Sequence, residues 1–161
     1  ACGGGWSWGL GPGGGSDVRR GPAGTGGLLA SVTHPIEPVS MGTPHTHHAT
    51  DELSYVVFGR VGARIGDQTI EAASAGAYIV KPRGLPHTFW NPGPEPALLV
   101  EMITPSGFEN FFREMAALTA DGPPDPAALG DLGEKYAMTF HMDNGWVQEL
   151  SAKYSLRLNL P

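Results

Sequence analysis

Pro44-His45-Thr46-His47-His48-Ala49-Thr50-Asp51-Glu52 is the stretch that decides the fold, and a mostly apolar run (53–58) and Gly59 follow it directly. Three of the six histidines of the chain fall within four positions here. Successive side chains of a β-strand point to opposite faces, so His45 and His47 share a face and His48 points the other way. Two neutral imidazoles on one face of a strand are close enough to chelate a single metal ion.

Two further residues are candidates for the same ion. Glu52 lies five residues after His47, across a bend, and can return a carboxylate oxygen. A fourth ligand has to come from a neighbouring strand, and His87 is the only remaining histidine in a comparable turn-and-strand context. Three imidazoles and one carboxylate suit Fe, Mn, Ni, Cu, Co or Zn and do not suit Ca or Mg. The sequence therefore predicts one divalent transition-metal ion per chain.

Two alternatives remain open for these residues. Glu52 would be a general base or a carboxylate beside the ligands if the three histidines held the metal alone. The histidines would be ordinary strand residues if they only formed hydrogen bonds in a polar barrel mouth. His48 is expected at the surface or in a layer behind the ligands, and Phe89, which shares the strand face of His87, is the candidate for binding a substrate.

The sequence around this stretch has the period of a β-protein. Gly66-Asp67 separates two strand-like runs and is a good two-residue hairpin turn. Turn residues recur every ten or so positions, which predicts an antiparallel sandwich or barrel. The predicted strands are 28–34, 52–58, 60–65, 68–73, 77–81, 86–90 and 97–104.

The two ends of the sequence differ from this central part. Residues 1–27 hold twelve of the twenty-four glycines, which predicts a flexible N-terminal arm, with Trp6 and Trp8 able to dock on a sheet edge or a partner. After Pro105 the apolar spacing becomes helical, with Ser106 as the expected N-cap and Glu109 three residues later. Weaker helical patterns cover 127–138 and about 144–154. We expect residues 105–161 to form a helical extension packed on a barrel of residues 28–104.

Composition limits the classes of function. The net charge of −6, with only ten Lys and Arg, argues against a nucleic acid or an anionic membrane as partner. A single cysteine excludes an intrachain disulfide, and no apolar run is long enough to span a membrane, so we expect a cytoplasmic protein.

The two histidine-bearing stretches resemble the two motifs of the cupin family. In the first, His45 and His47 precede Glu52 after four residues and Gly59 after six more. The second motif is matched, with its spacings kept, by Gly76, Pro82, Gly84, His87 and Asn91. One departure is Val39, which stands where the family usually has a glycine.

The resemblance implies an all-β fold with C-terminal helices, in which an antiparallel cupin (double-stranded β-helix or jelly-roll) barrel carries the metal on His45, His47, Glu52 and His87. It also suggests a homodimer. Residues 105–112 look like the helix start of single-domain cupins (monocupins) related to bacterial quercetinases, which are ring-cleaving dioxygenases of flavonols.

Two classes of function follow from this resemblance. The favoured one is an enzyme, a metal-dependent dioxygenase (an oxidoreductase) for a small enolic or phenolic substrate, with Glu52 as ligand and proton acceptor. A cupin isomerase or cyclase is a variant of it. The other is a metal-containing cupin that binds a ligand without turnover. The sequence leaves the native metal, the substrate and the reaction class open.

Overall fold

The computed structural model describes residues 17–20, 25–120, 122 and 124–159. Within these ranges the chain forms twelve β-strands and three α-helices. The strands are β1 (Asp17–Arg20), β2 (Ala30–Ile36), β3 (Ser40–Gly42), β4 (His45–His47), β5 (Asp51–Phe58), β6 (Arg60–Ile65), β7 (Gln68–Ser74), β8 (Tyr78–Lys81), β9 (His87–Asn91), β10 (Ala97–Thr104), β11 (Met138–Phe140) and β12 (Arg157–Asn159). The helices are α1 (Glu109–Leu118), α2 (Pro126–Lys135) and α3 (Trp146–Tyr154).

The strands form two sheets. The first has the order β1-β2-β10-β5-β8, and all its neighbours are antiparallel. The second has the order β11-β4-β9-β3-β12, with β6 beside β9 and β7 beside β6. Only the pairing of β12 with β3 is parallel in this second sheet. The predicted class, an antiparallel cupin barrel with C-terminal helices, is confirmed.

The core follows from the alternation of side chains along the strands. On β5 every second residue is buried, beginning with Glu52, Ser54 and Val56. The apolar end of this inner face packs in one buried cluster. Each fully buried aliphatic side chain contributes about 1.5–3 kcal/mol to the stability of the folded state. That cluster consists of Ile36, Val56, Val61, Ala63, Ile79, Ala97 and Leu99. The other end of the same inner face is polar, and the candidate metal centre lies there.

Two backbone positions show why the turns need particular residues. Gly59 has a φ of 80°, and an added Cβ would lie 2.6 Å from the Cβ of Ala97, so only glycine fits between β5 and β6. Val39, where the cupin motif usually has glycine, has a φ of 49°. A β-branched residue rarely adopts this left-handed conformation, so the backbone is strained at Val39.

The predicted Gly66-Asp67 hairpin is confirmed, since β6 and β7 pair in antiparallel register on either side of these two residues. The predicted N-cap at Ser106 is wrong, because α1 begins at Glu109 and no side chain caps it. The backbone N–H of Ser106 instead donates to the carbonyl of Gly27, and the Glu109 carboxylate accepts the N–H of Gly107.

The C-terminal extension contacts both sheets. The α1 residues Phe111 and Met115 pack with Val32 and Ile103 of the first sheet. β11, between α2 and α3, pairs with β4, and β12, which follows α3, pairs with β3. The extension therefore adds two strands that the sequence does not predict. The helical pattern at 127–138 therefore ends early, at Lys135.

The predicted flexible arm contains one strand within its described part. Residues 17–20 form β1, which pairs with β2. Trp6 and Trp8, and the expectation that they dock on a sheet edge or a partner, lie outside the described residues. Among the helices that the structure describes, none is both long and apolar enough to cross a membrane.

Candidate metal centre

Strand pairing brings the three predicted histidines together. His45 on β4 lies directly opposite His87 on β9, and their ring centroids are 4.4 Å apart. His47 follows two residues along β4, on the same face, with its ring centroid 4.8 Å from that of His45 and 5.4 Å from that of His87. The His-Thr-His spacing and one cross-strand pair are therefore enough to build a cluster of three imidazoles.

Glu52 reaches this cluster from the other sheet. Its Oε1 lies 3.1 Å from Nε2 of His47, and its Oε2 lies 3.5 Å from Nε2 of His87. One ligand atom from each of the four side chains lies within 4.8 Å of the other three. His47, Glu52 and His87 are buried, and His45 is half-buried. This is the size and composition of a site for a single ion.

The hydrogen bonds of the imidazoles fit a metal ion. Nδ1 of His45 donates to the Thr43 carbonyl at 2.7 Å, and Nδ1 of His87 donates to the Leu85 carbonyl at 3.1 Å. In neutral rings these bonds leave each Nε2 with its lone pair free, as in metal-ligating histidines.

The remaining ring nitrogens point to the same conclusion. Nε2 of His87 and both ring nitrogens of His47 are buried and form no hydrogen bond with any described residue. Nε2 of His47 is close to the Glu52 carboxylate but does not have hydrogen-bond geometry. A buried polar atom without a partner costs about 1–3 kcal/mol. A divalent cation bound by Nε2 of His87 and by one ring nitrogen of His47 would satisfy these two atoms.

The electrostatics favour the metal-binding protonation states. Burial, followed by the charges of the neighbouring histidines, holds the pKa of His45 well below its usual value. Burial likewise lowers the pKa of His87. Burial alone would raise the pKa of Glu52, but the Lys81 ammonium and His47 outweigh it and hold this pKa well below its usual value. His45 and His87 thus offer neutral nitrogen donors, and Glu52 offers an ionised carboxylate, as metal binding requires.

A buried ion-pair network lies behind Glu52. Nζ of Lys81 is 2.8 Å from Oε2 of Glu52 and 2.8 Å from Oε2 of Glu101. The Ser54 hydroxyl donates to both oxygens of Glu101 at 2.9 and 3.0 Å. Burial by itself lowers the pKa of Lys81, but the two carboxylates outweigh it and raise this pKa. Burial raises the pKa of Glu101 against the opposing effect of Lys81.

A cavity of about 460 Å³ opens on the site. Its wall includes Glu52 and Lys81, and helix α1 covers one side with aromatic and Met side chains. The Phe108 ring, next to that helix, stands edge-on to His47 with the centroids 4.2 Å apart. The apolar part of the wall is formed mainly by Met41, Phe89, Phe108, Phe111, Phe112 and Met115. The cavity suits a small, largely apolar ligand with a few polar groups.

The structure also places the other residues of interest. Phe89 lies on the cavity wall. His48 is exposed, and its Nε2 is 2.9 Å from the Thr139 hydroxyl, away from the cluster. His34 lines the cavity between the rings of Phe89 and Phe112.

Lys81 and Glu101 are the residues that sequence reasoning missed. Each stands in a strand that is otherwise largely apolar, Tyr-Ile-Val-Lys for β8 and Ala-Leu-Leu-Val-Glu-Met-Ile-Thr for β10. A charged residue inside such a strand is seldom buried unless it is paired. Two charged residues of opposite sign, each in a largely apolar strand, are the signal that could have revealed the network.

Comparisons with known proteins agree with this fold. Residues 34–103 match the family model described as the cupin domain. No curated protein matches the chain significantly.

Among solved structures, KdgF from Halomonas sp. superposes with a TM-score of 0.52 at 21% identity, covering 59% of this chain and 81% of that one. A predicted oxalate decarboxylase from Thermotoga maritima has a TM-score of 0.52 at 16% identity, covering 55% and 77%. An uncharacterised protein with a double-stranded β-helix domain from Klebsiella pneumoniae has a TM-score of 0.50 at 21% identity, covering 56% and 76%. At these identities the similarity concerns the fold alone.

Proposed function

Because residues 34–103 of this chain form a cupin domain, we propose that it is a metal-dependent dioxygenase for a small enolic or phenolic substrate. The metal would be one divalent transition ion per chain, of the Fe, Mn, Ni, Cu, Co or Zn group. Its ligands would be the four clustered side chains, His45, His47, Glu52 and His87.

One observation carries this proposal: four buried metal-binding side chains converge where an apolar cavity of about 460 Å³ opens. A metal ion held there would supply Lewis-acid stabilisation of a substrate oxyanion and reactivity toward dioxygen. An ion of this group that takes five or six ligands would keep one or two positions open beside the four protein ligands.

The protein side chains would accept a proton, orient the substrate and exclude water. Glu52, ionised and beside the cavity, would accept the proton of the substrate hydroxyl. The Phe89 ring would pack against the apolar part of the substrate and orient its hydroxyl toward the histidines. Helix α1 and Phe108 would exclude water from the cavity, which strengthens the charge interactions inside it.

The proposal is tested by oxygen uptake. Metal-free protein is loaded with each candidate ion in turn and is presented with a panel of flavonols, catechols and simple enols. We expect uptake with at least one combination, its abolition by a chelator, and its loss in a Glu52→Gln variant. His48→Gln is the matched control, since this exposed histidine lies outside the cluster.

The same assay separates the alternative functions. Tight binding of an enol by metal-loaded protein without oxygen consumption would favour a binding cupin without turnover. Conversion of the substrate without oxygen consumption would favour an isomerase or cyclase. Either result would refute the dioxygenase proposal while leaving the metal site intact.

We further propose that two copies of the chain form a homodimer through the edge strand β8. This strand ends the first sheet of the described chain, and its outward side chains Tyr78 and Val80 are 63% and 61% exposed. An exposed edge strand with apolar side chains is a ready surface for pairing. Light scattering should give twice the chain mass, and a Tyr78→Glu/Val80→Lys variant should be monomeric. A monomeric wild-type protein would refute this assignment.

A further inference from the structure

The Lys81–Glu101–Ser54 network is not needed to explain the cluster of ligand atoms, yet it contacts Glu52 directly. We propose that Lys81, held in place by Glu101, is a positioning residue that keeps Oε2 of Glu52 away from the metal, so that Glu52 binds with Oε1 alone. The inference rests on the proposed metal site. It predicts a one-oxygen ligand and a coordination position left open toward the cavity.

Strand register builds this network. Glu52 on β5 lies directly opposite Lys81 on β8, and Ser54, two residues further on the same face of β5, lies directly opposite Glu101 on β10. Three adjacent strands of one sheet thus present their polar side chains inward side by side. The geometry is fixed by backbone pairing and does not depend on loops.

The surroundings of Lys81 allow it little freedom. The ammonium group is 2.8 Å from one oxygen of each carboxylate, and the side chain is 1% exposed. An ammonium group is buried in this way only when it is paired, because removing it from water without a partner costs several kcal/mol. The two carboxylates, 4% and 1% exposed, therefore fix the Lys81 ammonium between them.

The two oxygens of Glu52 consequently face different partners. Oε2 forms an ion pair with the ammonium at 2.8 Å and lies 3.5 Å from Nε2 of His87, whereas Oε1 faces Nε2 of His47 at 3.1 Å. A carboxylate that bound the metal with both oxygens would share Oε2 between the metal and Lys81, which would weaken the ion pair of a buried cation. The network thus opposes two-oxygen binding.

The test uses Co²⁺ as the probe, because its visible absorption band reports coordination number, weakening as ligands are added. Lys81→Met alone leaves Glu101 as an uncompensated buried charge and risks unfolding. The Lys81→Met/Glu101→Gln double variant removes both charges at nearly constant shape. Lys135→Met is the matched control, since Lys135 is an exposed lysine paired with Glu114 on a helix.

We expect wild-type protein and Lys135→Met to bind one Co²⁺ per chain with the same band. The double variant should also bind one Co²⁺, but with a weaker band per bound ion, as Oε2 joins the coordination sphere, and with at least tenfold altered affinity in a chelator competition. A double variant with lower thermal stability but an unchanged cobalt spectrum and affinity would show a purely structural role and overturn the inference. Failure of wild-type protein to bind Co²⁺ would instead overturn the metal site itself, and with it this inference.

Discussion

Gly62→Ala should destabilise the protein, although alanine is normally the better residue in a strand. Gly62 lies directly opposite Trp90 in the pairing of β6 with β9. A Cβ at Gly62 would lie 2.1 Å from Cε2 and 2.2 Å from Nε1 of the indole ring. Carbon atoms in contact are normally about 3.5–4.0 Å apart, so the ring would have to move by more than about 1 Å.

Trp90 has little room for such a shift. Its side chain is 0% exposed, its ring is stacked on Tyr154 with centroids 5.2 Å apart, and it packs with Met41 and Leu150. Overpacking of this kind costs about 1–3 kcal/mol, and occasionally more. Alanine would return about 0.5–1 kcal/mol of backbone entropy. Because the Cβ would lie only 2.1 Å from the ring, we take the upper end of this range. The net loss is then about 2 kcal/mol, which lowers the melting temperature by about 4–8 °C for a chain of this size.

Urea unfolding followed by tryptophan fluorescence or circular dichroism measures this loss. The control is Gly130→Ala in α2, because nothing lies within 4 Å of a Cβ at Gly130 and a helix interior favours alanine by about 1 kcal/mol. A Gly62→Ala/Trp90→Phe double variant should recover part of the loss, since it provides space for the new methyl group. A Gly62→Ala protein as stable as wild type would refute the packing of Trp90 against β6.

Further predictions concern strain and pH. Val39→Gly should raise the free energy of unfolding by about 1 kcal/mol, because it relieves the strain of the φ of 49°. Val57→Gly, at a regular position of β5, should lower the free energy of unfolding by a similar amount. Equal effects of the two substitutions would contradict backbone strain at Val39. Burial, with the charge of Lys81, lowers the pKa of His34 to about 4. Between pH 6.5 and about 4 the unfolded chain therefore binds a proton that the folded chain does not, so acidification should remove up to about 3 kcal/mol of stability. Urea unfolding of metal-free protein at pH 7 and at pH 4.5 should show a smaller drop in the free energy of unfolding for His34→Phe than for wild type. Identical drops in the two proteins would refute the lowered pKa of His34.

The sequence was a good guide where local rules decide the structure. Alternation along a strand placed His45 and His47 on one face, and motif spacing pointed to His87 as their partner, and the structure brings all three together with Glu52. The glycine-containing hairpin at residues 66–67 was predictable because two residues determine that turn.

The sequence was a poor guide where distant pairing decides the structure. Glu52 meets Lys81, and Ser54 meets Glu101, because β5 lies between β8 and β10, an order that no local pattern encodes. The three-residue strands β11 and β12 are too short to show a period, and each exists because it pairs with a strand about a hundred residues earlier. Ser106 has the residue type of an N-cap, but α1 begins only at Glu109. The backbone N–H of Ser106 donates to the carbonyl of Gly27, a contact between residues that flank the barrel segment.

The central claim is that His45, His47, Glu52 and His87 hold one metal ion, and metal content per chain tests it most directly. Elemental analysis of protein loaded with a divalent transition metal and then desalted should give about one ion per wild-type chain. His47→Ala should retain almost none, whereas the His48→Ala control should retain the wild-type amount. Full retention of metal by His47→Ala, or no metal in the wild-type protein with any of the six candidate ions, would contradict the claim.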